Sequence, residues 1–466
     1  MNARGPALSM LARPLRDTER TAIARRVVSA LRAGRSCELP ATAFVSLYER
    51  GRVIGCVGHA DLQSALGAAR LDPRFGGARA AASDATVQLS LLVRGRVTTP
   101  AEAVAAIELG TEGLVAFDAA DAIRAVLLPE VAADGQRDGA SMLRALAEKA
   151  GATTLDEIPR VMLVRRERFV IRPSPSRAPR TTAMIDAAAR WLAARIDAEG
   201  AVAHGIDARS GRVHRTGPFH LGRAAVVIEA LAAHAGHASV VRRAQGWLEF
   251  AIEAALEEEG EGLPKSAAER AGSLALALRA GADCRDALLE IAIRSTRDIA
   301  ATPWHAAQVT VALGAATPAL VVSGALAPLD ADAWAPWSTL AADTVGDARR
   351  AKKGRARLAR SVPTSAPHRG GVRTGSVPEV AITALVVEVL ARSSSHRAAT
   401  RRALGFLASQ CFARLRDVPA ALEPKLAFGA FPLAPHADFL RADVTAHVLL
   451  ALLAARRAEL TFPAAS

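Results

Sequence analysis

The hydrophobic pattern of this chain changes period once, near residue 172. Before that point, helical and alternating stretches are interleaved. In RDTERTAIARRVVSALRA (16–33), Ile23, Val27, Val28 and Leu31 recur at helical spacing, and Gly34 is placed to end the helix. After Pro40, TAFVSLYERGRVIGCVG alternates in two runs around Glu49-Arg50-Gly51, the pattern of a β-hairpin that closes on a turn at Gly55-Cys56-Val57-Gly58. Helices are predicted at 62–70, near 100–107 and at 139–150, with strands at 87–93, 113–118 and 159–171. This mixture predicts an α+β domain over 15–172, preceded by a tail at 1–14.

RPSPSRAPR (172–180) is Pro- and Ser-rich, and 173–181 reads as a linker. Beyond it strand signal almost vanishes and a repeat emerges. AARWLAAR, AQGWLEFA and ALGFLASQ carry an aromatic-Leu pair at matching places in amphipathic helices. Gly-containing loops follow them (EGAVAHG, EGEGLP, FGAFPL), then apolar helices such as VVIEALAAHAG, LALALRAG and HVLLALLAA. One such hairpin cannot bury its own apolar face, so the units must stack or close into a ring. The expectation for 182–458 is an all-α helical-hairpin array in the form of an α/α toroid. Residues 346–376, dense in Arg and Lys, break the pattern and are predicted to be an exposed, mobile insertion.

Composition narrows the function classes. Apolar residues at 51% against 23% charged describe a chain that folds. No apolar run reaches the roughly 18–20 residues of a membrane span, and the first residues lack a signal-peptide core, so the expected location is cytoplasmic with no membrane partner. Cys37, Cys56, Cys284 and Cys411 are scattered without a C-x-x-C pair, which argues against a disulfide framework or an all-cysteine zinc site. No metal and no cofactor are predicted. A net charge of +13 raises nucleic acid as a partner, but aromatics at 4% leave few stacking platforms and argue against it.

The front half resembles the AMMECR-one domain family. The match rests on Val53-Ile54-Gly55-Cys56-Val57-Gly58, Asp72-Pro73-Arg74-Phe75, Leu89-Ser90-Leu91-Leu92, the Gly110 to Gly113 turn, Leu128 to Ala132, and Leu146 to Gly151. The family has Arg where this chain has Ile54. The resemblance implies an α+β fold with a cleft near the Cys turn, and Memo-type or radical-SAM proteins as partners. It supplies no reaction. The back half is similar to the α/α toroids of terpenoid cyclases and protein prenyltransferases. Arg441 to Ala446 resembles the class II cyclase acidic motif, with Asp443 alone of its acidic trio.

These observations single out two groups of residues. Gly55, Cys56, Val57, Gly58, His59, Asp72 and Arg74 would form a ligand site, in which His59 could activate the Cys56 thiol. Asp443 and His447, four apart, share one helical face, and His214, His220, Trp304, His305 and His436 are candidates for the same cavity. Each has a plainer alternative: a buried cysteine, an N-capping Asp443, a packed histidine. The leading expectation is a protein that binds a small molecule or protein partner, with the helical domain as binding or scaffold module. The alternative is an enzyme using an interdomain or toroid-centre pocket, a terpene-cyclase-like activity being its weakest form.

Overall fold

The computed structural model describes residues 22, 23, 26, 27, 29, 30 and 35–460, except 40–42, 50–51, 59–60, 73–85, 110–111, 120–122, 130, 132–137, 172–180, 208–212, 216–219, 258–263, 265, 328–334, 365–368, 374–377, 413–423 and 434–438. The chain forms two compact units that divide near residue 174.

In the first unit the strands are β1 (Ala43–Glu49), β2 (Arg52–Gly58), β3 (Thr86–Thr98), β4 (Gly113–Phe117), β5 (Ile123–Leu127) and β6 (Arg160–Ile171). They form an antiparallel sheet in the order β2-β1-β3-β6-β4-β5. Helix α1 (Leu62–Arg70) buries Leu62, Ala65, Leu66 and Ala69 against Val45, Leu47, Leu89 and Leu91. Helices α2 (Pro100–Ala106) and α3 (Gly139–Ala150) cover the β4–β6 end through Ala103, Met142, Leu143 and Leu146. Local sequence starts these helices. Thr99 and Glu102 form a capping box ahead of α2, and Asp138 caps α3 through the Ser141 N–H.

The hairpin differs from the sequence reading in one respect. Gly55 to Gly58 lie within β2, paired with Leu47 to Phe44, rather than in a turn. Neither glycine has positive φ. Gly55 is instead a spacer: a Cβ there would lie 1.7 Å from the Ala69 carbonyl oxygen, so α1 can settle on β2 only over a bare Cα. The register skips Ile54, a β-bulge, and Ile54 packs against the apolar core under α1.

The second unit is largely helical: α4 (Thr181–Ala193), α5 (His220–His234), α6 (Ala238–Leu256), α7 (Ala267–Arg279), α8 (Arg285–Arg294), α9 (Thr296–Ala300), α10 (Pro303–Leu313), α11 (Ala319–Ala325), α12 (Ala335–Thr344), α13 (Ala348–Ser361), α14 (Val380–Ala391), α15 (Arg397–Gln410) and α16 (Ala442–Arg457). A small sheet of β7 (Gly205–Asp207), β8 (Val213–His214) and β9 (Phe439–Arg441) joins distant parts of this unit, a pairing the helical periodicity hid.

Helices α5, α7, α10, α12, α14 and α16 pack in sequence, each on the next, and α16 packs back on α5. Their apolar character is near-continuous. In α14, for example, every residue from Ile382 to Leu390 is buried. The amphipathic helices α4, α6, α13 and α15 pack against members of that cycle. The repeat seen in sequence has a structural counterpart. Gly370 and Gly429 adopt φ of +91° and +94°, and two residues on, the N–H groups of Val372 and Phe431 donate to the hydroxyls of Thr383 and Thr445.

The basic stretch expected to be a mobile insertion contains helix α13. Its Ala351 and Leu358 are fully buried. Seven cations in fourteen residues obscured the apolar spacing, which here needs only two buried side chains, seven residues apart, in the whole helix.

Candidate functional site

A cavity of about 740 Å³ opens at one end of the helix cycle. Arg223 of α5, Ser273 of α7, Trp304, His305 and Gln308 of α10, Trp337 of α12, Ile382 of α14, and Asp443 and His447 of α16 line it. All lie in the first two turns of their helices. Glu379 and Arg441, which immediately precede α14 and α16, complete the wall. Six helix N-termini are therefore directed at one space, each carrying about half a positive charge in its unpaired N–H groups. Gly272 makes room for two of the lining side chains: a Cβ there would come within 2.4 Å of the His305 ring and 2.7 Å of Gln308 Oε1.

One side of the cavity is strongly polar. Arg441 Nε donates to Asp443 Oδ1 at 3.0 Å, and its Nη2 donates to Oδ2. Arg223 Nε stands 3.8 Å from the same Oδ2. Burial alone would raise the Asp443 carboxyl, but Arg441, His447 and Arg223 together hold it below the ordinary aspartate value. Glu379 is shifted the other way, because burial outweighs the pull of Arg441. The environment thus separates the two carboxyls of this wall.

Further along the same helices lies a buried charge network. Arg279 donates to Glu229 at 2.6 and 3.2 Å, and its Nη2 is 3.8 Å from Glu388. The Arg279 guanidinium also sits 5.1 Å from the Trp337 ring centroid, a cation–π contact. Burial opposes its charge, but Glu229 and Glu388 more than compensate and keep it protonated. Burial also pushes His447 and His305 toward the neutral form. Three buried polar atoms on the cavity residues have no hydrogen-bond partner among the described residues: His305 Nδ1, Trp337 Nε1 and His447 Nδ1. Such atoms are costly unless a ligand or water meets them.

The Cys56 region is built differently. Cys56, Ser46 and Gln88 stand side by side across β2, β1 and β3. The Ser46 hydroxyl donates to Cys56 Sγ at 3.2 Å, and the Cys56 N–H donates to Asp72 Oδ2 at 3.2 Å. Ser46, Gln88, Ser90 and Asp72 are all buried, and Gln88 Nε2 donates to Ser90 Oγ. Asp72 therefore bonds across sixteen residues to the cysteine's own backbone.

Of the residues singled out from sequence, Asp443, His447, Trp304 and His305 meet in the cavity. The N-cap of α16 is Arg441, so Asp443 is the second residue of the helix and is held by the Arg441 side chain. His214 packs edge-on against Phe439, with centroids 5.0 Å apart. His59, Arg74, His436 and the His220 side chain lie outside the described residues. Among the described residues, no group of three or more His, Cys, Asp or Glu could hold a metal ion, and no helix is long and apolar enough to cross a membrane. Sequence reading missed Arg223, Gln308, Trp337 and Glu379. Each stands at a helix start, but no short motif announces it. It also missed Ser46 and Gln88, whose signal was a polar residue inside an otherwise apolar strand.

No curated protein matches this chain. A glycosidase structure is 17% identical over 61% of this chain and 98% of its own, with a TM-score of 0.39. A glycosidase variant in complex with glucose is 16% identical over the same shares, also at 0.39. The crystal structure of the uncharacterized protein PH0010 from Pyrococcus horikoshii is 24% identical over 32% of this chain and 88% of its own, with a TM-score of 0.25. Residues 9–169 match the family model described as AMMECR1.

Proposed function

We propose that this protein binds a small organic molecule in the cavity of its helical unit, and that the unit is an α/α toroid with the cavity at its open end. The closed cycle of helices supports the second part. The observation that carries the first is the set of three buried, unpartnered polar atoms on His305, Trp337 and His447 around a cavity of ligand size. Trp304 and Trp337 supply flat apolar faces, while Arg223, Arg441 and Asp443 supply fixed donors and acceptors. A ring-shaped molecule bearing hydroxyl or anionic groups satisfies both. Titration with a panel of neutral and acidic monosaccharides and aromatic acids, followed by tryptophan fluorescence and calorimetry, tests this reading. Ala381→Phe, which fills the cavity from a half-buried position on α14, should abolish any binding seen. Unchanged binding in that variant would remove the site from consideration.

A second reading is enzymatic, and the opposed shifts of Glu379 and Asp443 favour it. A carboxyl biased toward its protonated form, on the wall of a cavity whose other carboxyl is held ionised, is suited to act as a general acid. In that reading Glu379 donates a proton to a leaving group and Asp443 orients Arg441 and Arg223. Glu379→Gln should then preserve ligand binding and remove turnover. For residues 9–169, binding of a small molecule or protein near Cys56 stays our proposal, supported by the buried polar row of Ser46, Cys56 and Gln88.

A further inference from the structure

We infer that helix α13 forms one wall of a second binding site, which takes a small polyphosphorylated molecule. Within α13, Arg350, Lys353, Arg357 and Arg360 are spaced three, four and three apart. At 100° per residue they fall within an arc of about 80°, a stripe about 15 Å long. All four line a groove of about 400 Å³ whose floor is Ala335, Ser338, Thr339 and Ala342 of α12. Gly354 lets the two helices close up, since a Cβ there would meet Thr339 Oγ1 at 2.3 Å.

The stripe is only partly neutralised. Arg355, on another face, is the residue of this helix that pairs with Asp343, at 2.7 Å. Arg350 has a loose contact with Asp347 at 3.7 Å and Arg357 has an interaction of its own, while among the described residues Lys353 and Arg360 have no ion-pair partner. No carboxylate lines the groove among the described residues. Like charges three and four apart on a helix repel, so a bound polyanion would relieve a strain the free protein carries.

The shape selects among anions. A groove of this volume with a helix as its floor admits a small molecule but not a nucleic-acid duplex. No large apolar side chain of α13 is exposed beside the cations, as insertion into a lipid surface would require. The hydroxyls of Ser338 and Thr339 already donate to the carbonyls of Ala325 and Ala335. Recognition therefore falls to guanidinium and ammonium groups, which suit adjacent phosphates.

The test uses the full-length protein and inorganic tripolyphosphate as probe, read by calorimetry at low and moderate salt. Binding should weaken about tenfold or more in Lys353→Glu/Arg360→Glu, and steeply with added salt. The control Arg349→Glu/Lys352→Glu makes the same charge change on the same helix at residues that do not line the groove, and should bind nearly as well as the parent protein. Thermal melts of both variants establish that each is folded. Equal losses in the two variants would mean nonspecific attraction and overturn the proposal, as would no binding at low salt. Tighter, stripe-dependent binding of a DNA duplex would also overturn it, replacing the small molecule with nucleic acid.

Discussion

Arg441 and Asp443, two residues apart at the start of α16, are joined by paired hydrogen bonds from guanidinium to carboxylate on the wall of the cavity. The Asp443 residue is only 7% exposed, so its charge is tolerable only because this partner is in place.

Removing the partner should be costly. Arg441→Met leaves a buried carboxylate facing Arg223 at 3.8 Å, and should lower stability by about 3–5 kcal/mol in urea unfolding. Because the folded-state pKa of Asp443 lies below its unfolded value, its contribution is full above that unfolded value and lost as pH falls through the folded one. Acid unfolding of Asp443→Asn should therefore show a shallower loss of stability below about pH 4 than the parent protein.

His447 should add a second, separate pH dependence. Its folded pKa is depressed, chiefly by burial and also by Arg279 and Arg441, against the opposing pull of Asp443 and Glu388. The unfolded chain thus takes up its proton first, and stability should decline as pH falls below about 6.5. His447→Gln should flatten the stability profile between neutrality and about pH 5. An unchanged slope in that window would show that the ring takes up its proton as readily in the fold as in the unfolded chain.

Two glycines twelve residues apart make a sharp comparison. Gly55→Ala drives a methyl into the Ala69 carbonyl and should destabilise the first unit by about 2–3 kcal/mol or more. Gly67→Ala meets nothing within 4 Å inside α1 and should stabilise by about 0.5–1 kcal/mol. Thermal melts of the full-length protein separate the two.

The thiols should differ in reactivity. Burial pushes Cys284 up to about 11, and its Sγ donates to the Leu274 carbonyl, so iodoacetamide should leave it unmodified in native protein at pH 8. Cys411 is equally buried and should be protected. Cys56, half-buried in β2, should label faster than either. Peptide mapping before and after denaturation gives the order.

Much of this architecture was legible because it rests on local rules. The switch from mixed to helical periodicity near residue 172 follows from which residues can bury one face of a strand or helix. The pairing of Asp443 with His447 on one face follows from helical geometry alone. Gly55-Cys56-Val57-Gly58 was legible as a marked segment, but its glycines were read as turn formers. Only the approach of Ala69 reveals that they make space. Likewise, α13 was hidden by its charges, since a helix that needs only Ala351 and Leu358 for its core looks like a solvated run. The cavity lay further out of reach. Arg223, Trp337, Glu379 and Asp443 are scattered over more than two hundred residues, and no spacing rule connects them. Sequence by itself determined the helices and the faces they bury. Tertiary structure alone decided that six helix starts converge, because convergence depends on how each helix packs on the next, a property of pairs that no single segment encodes.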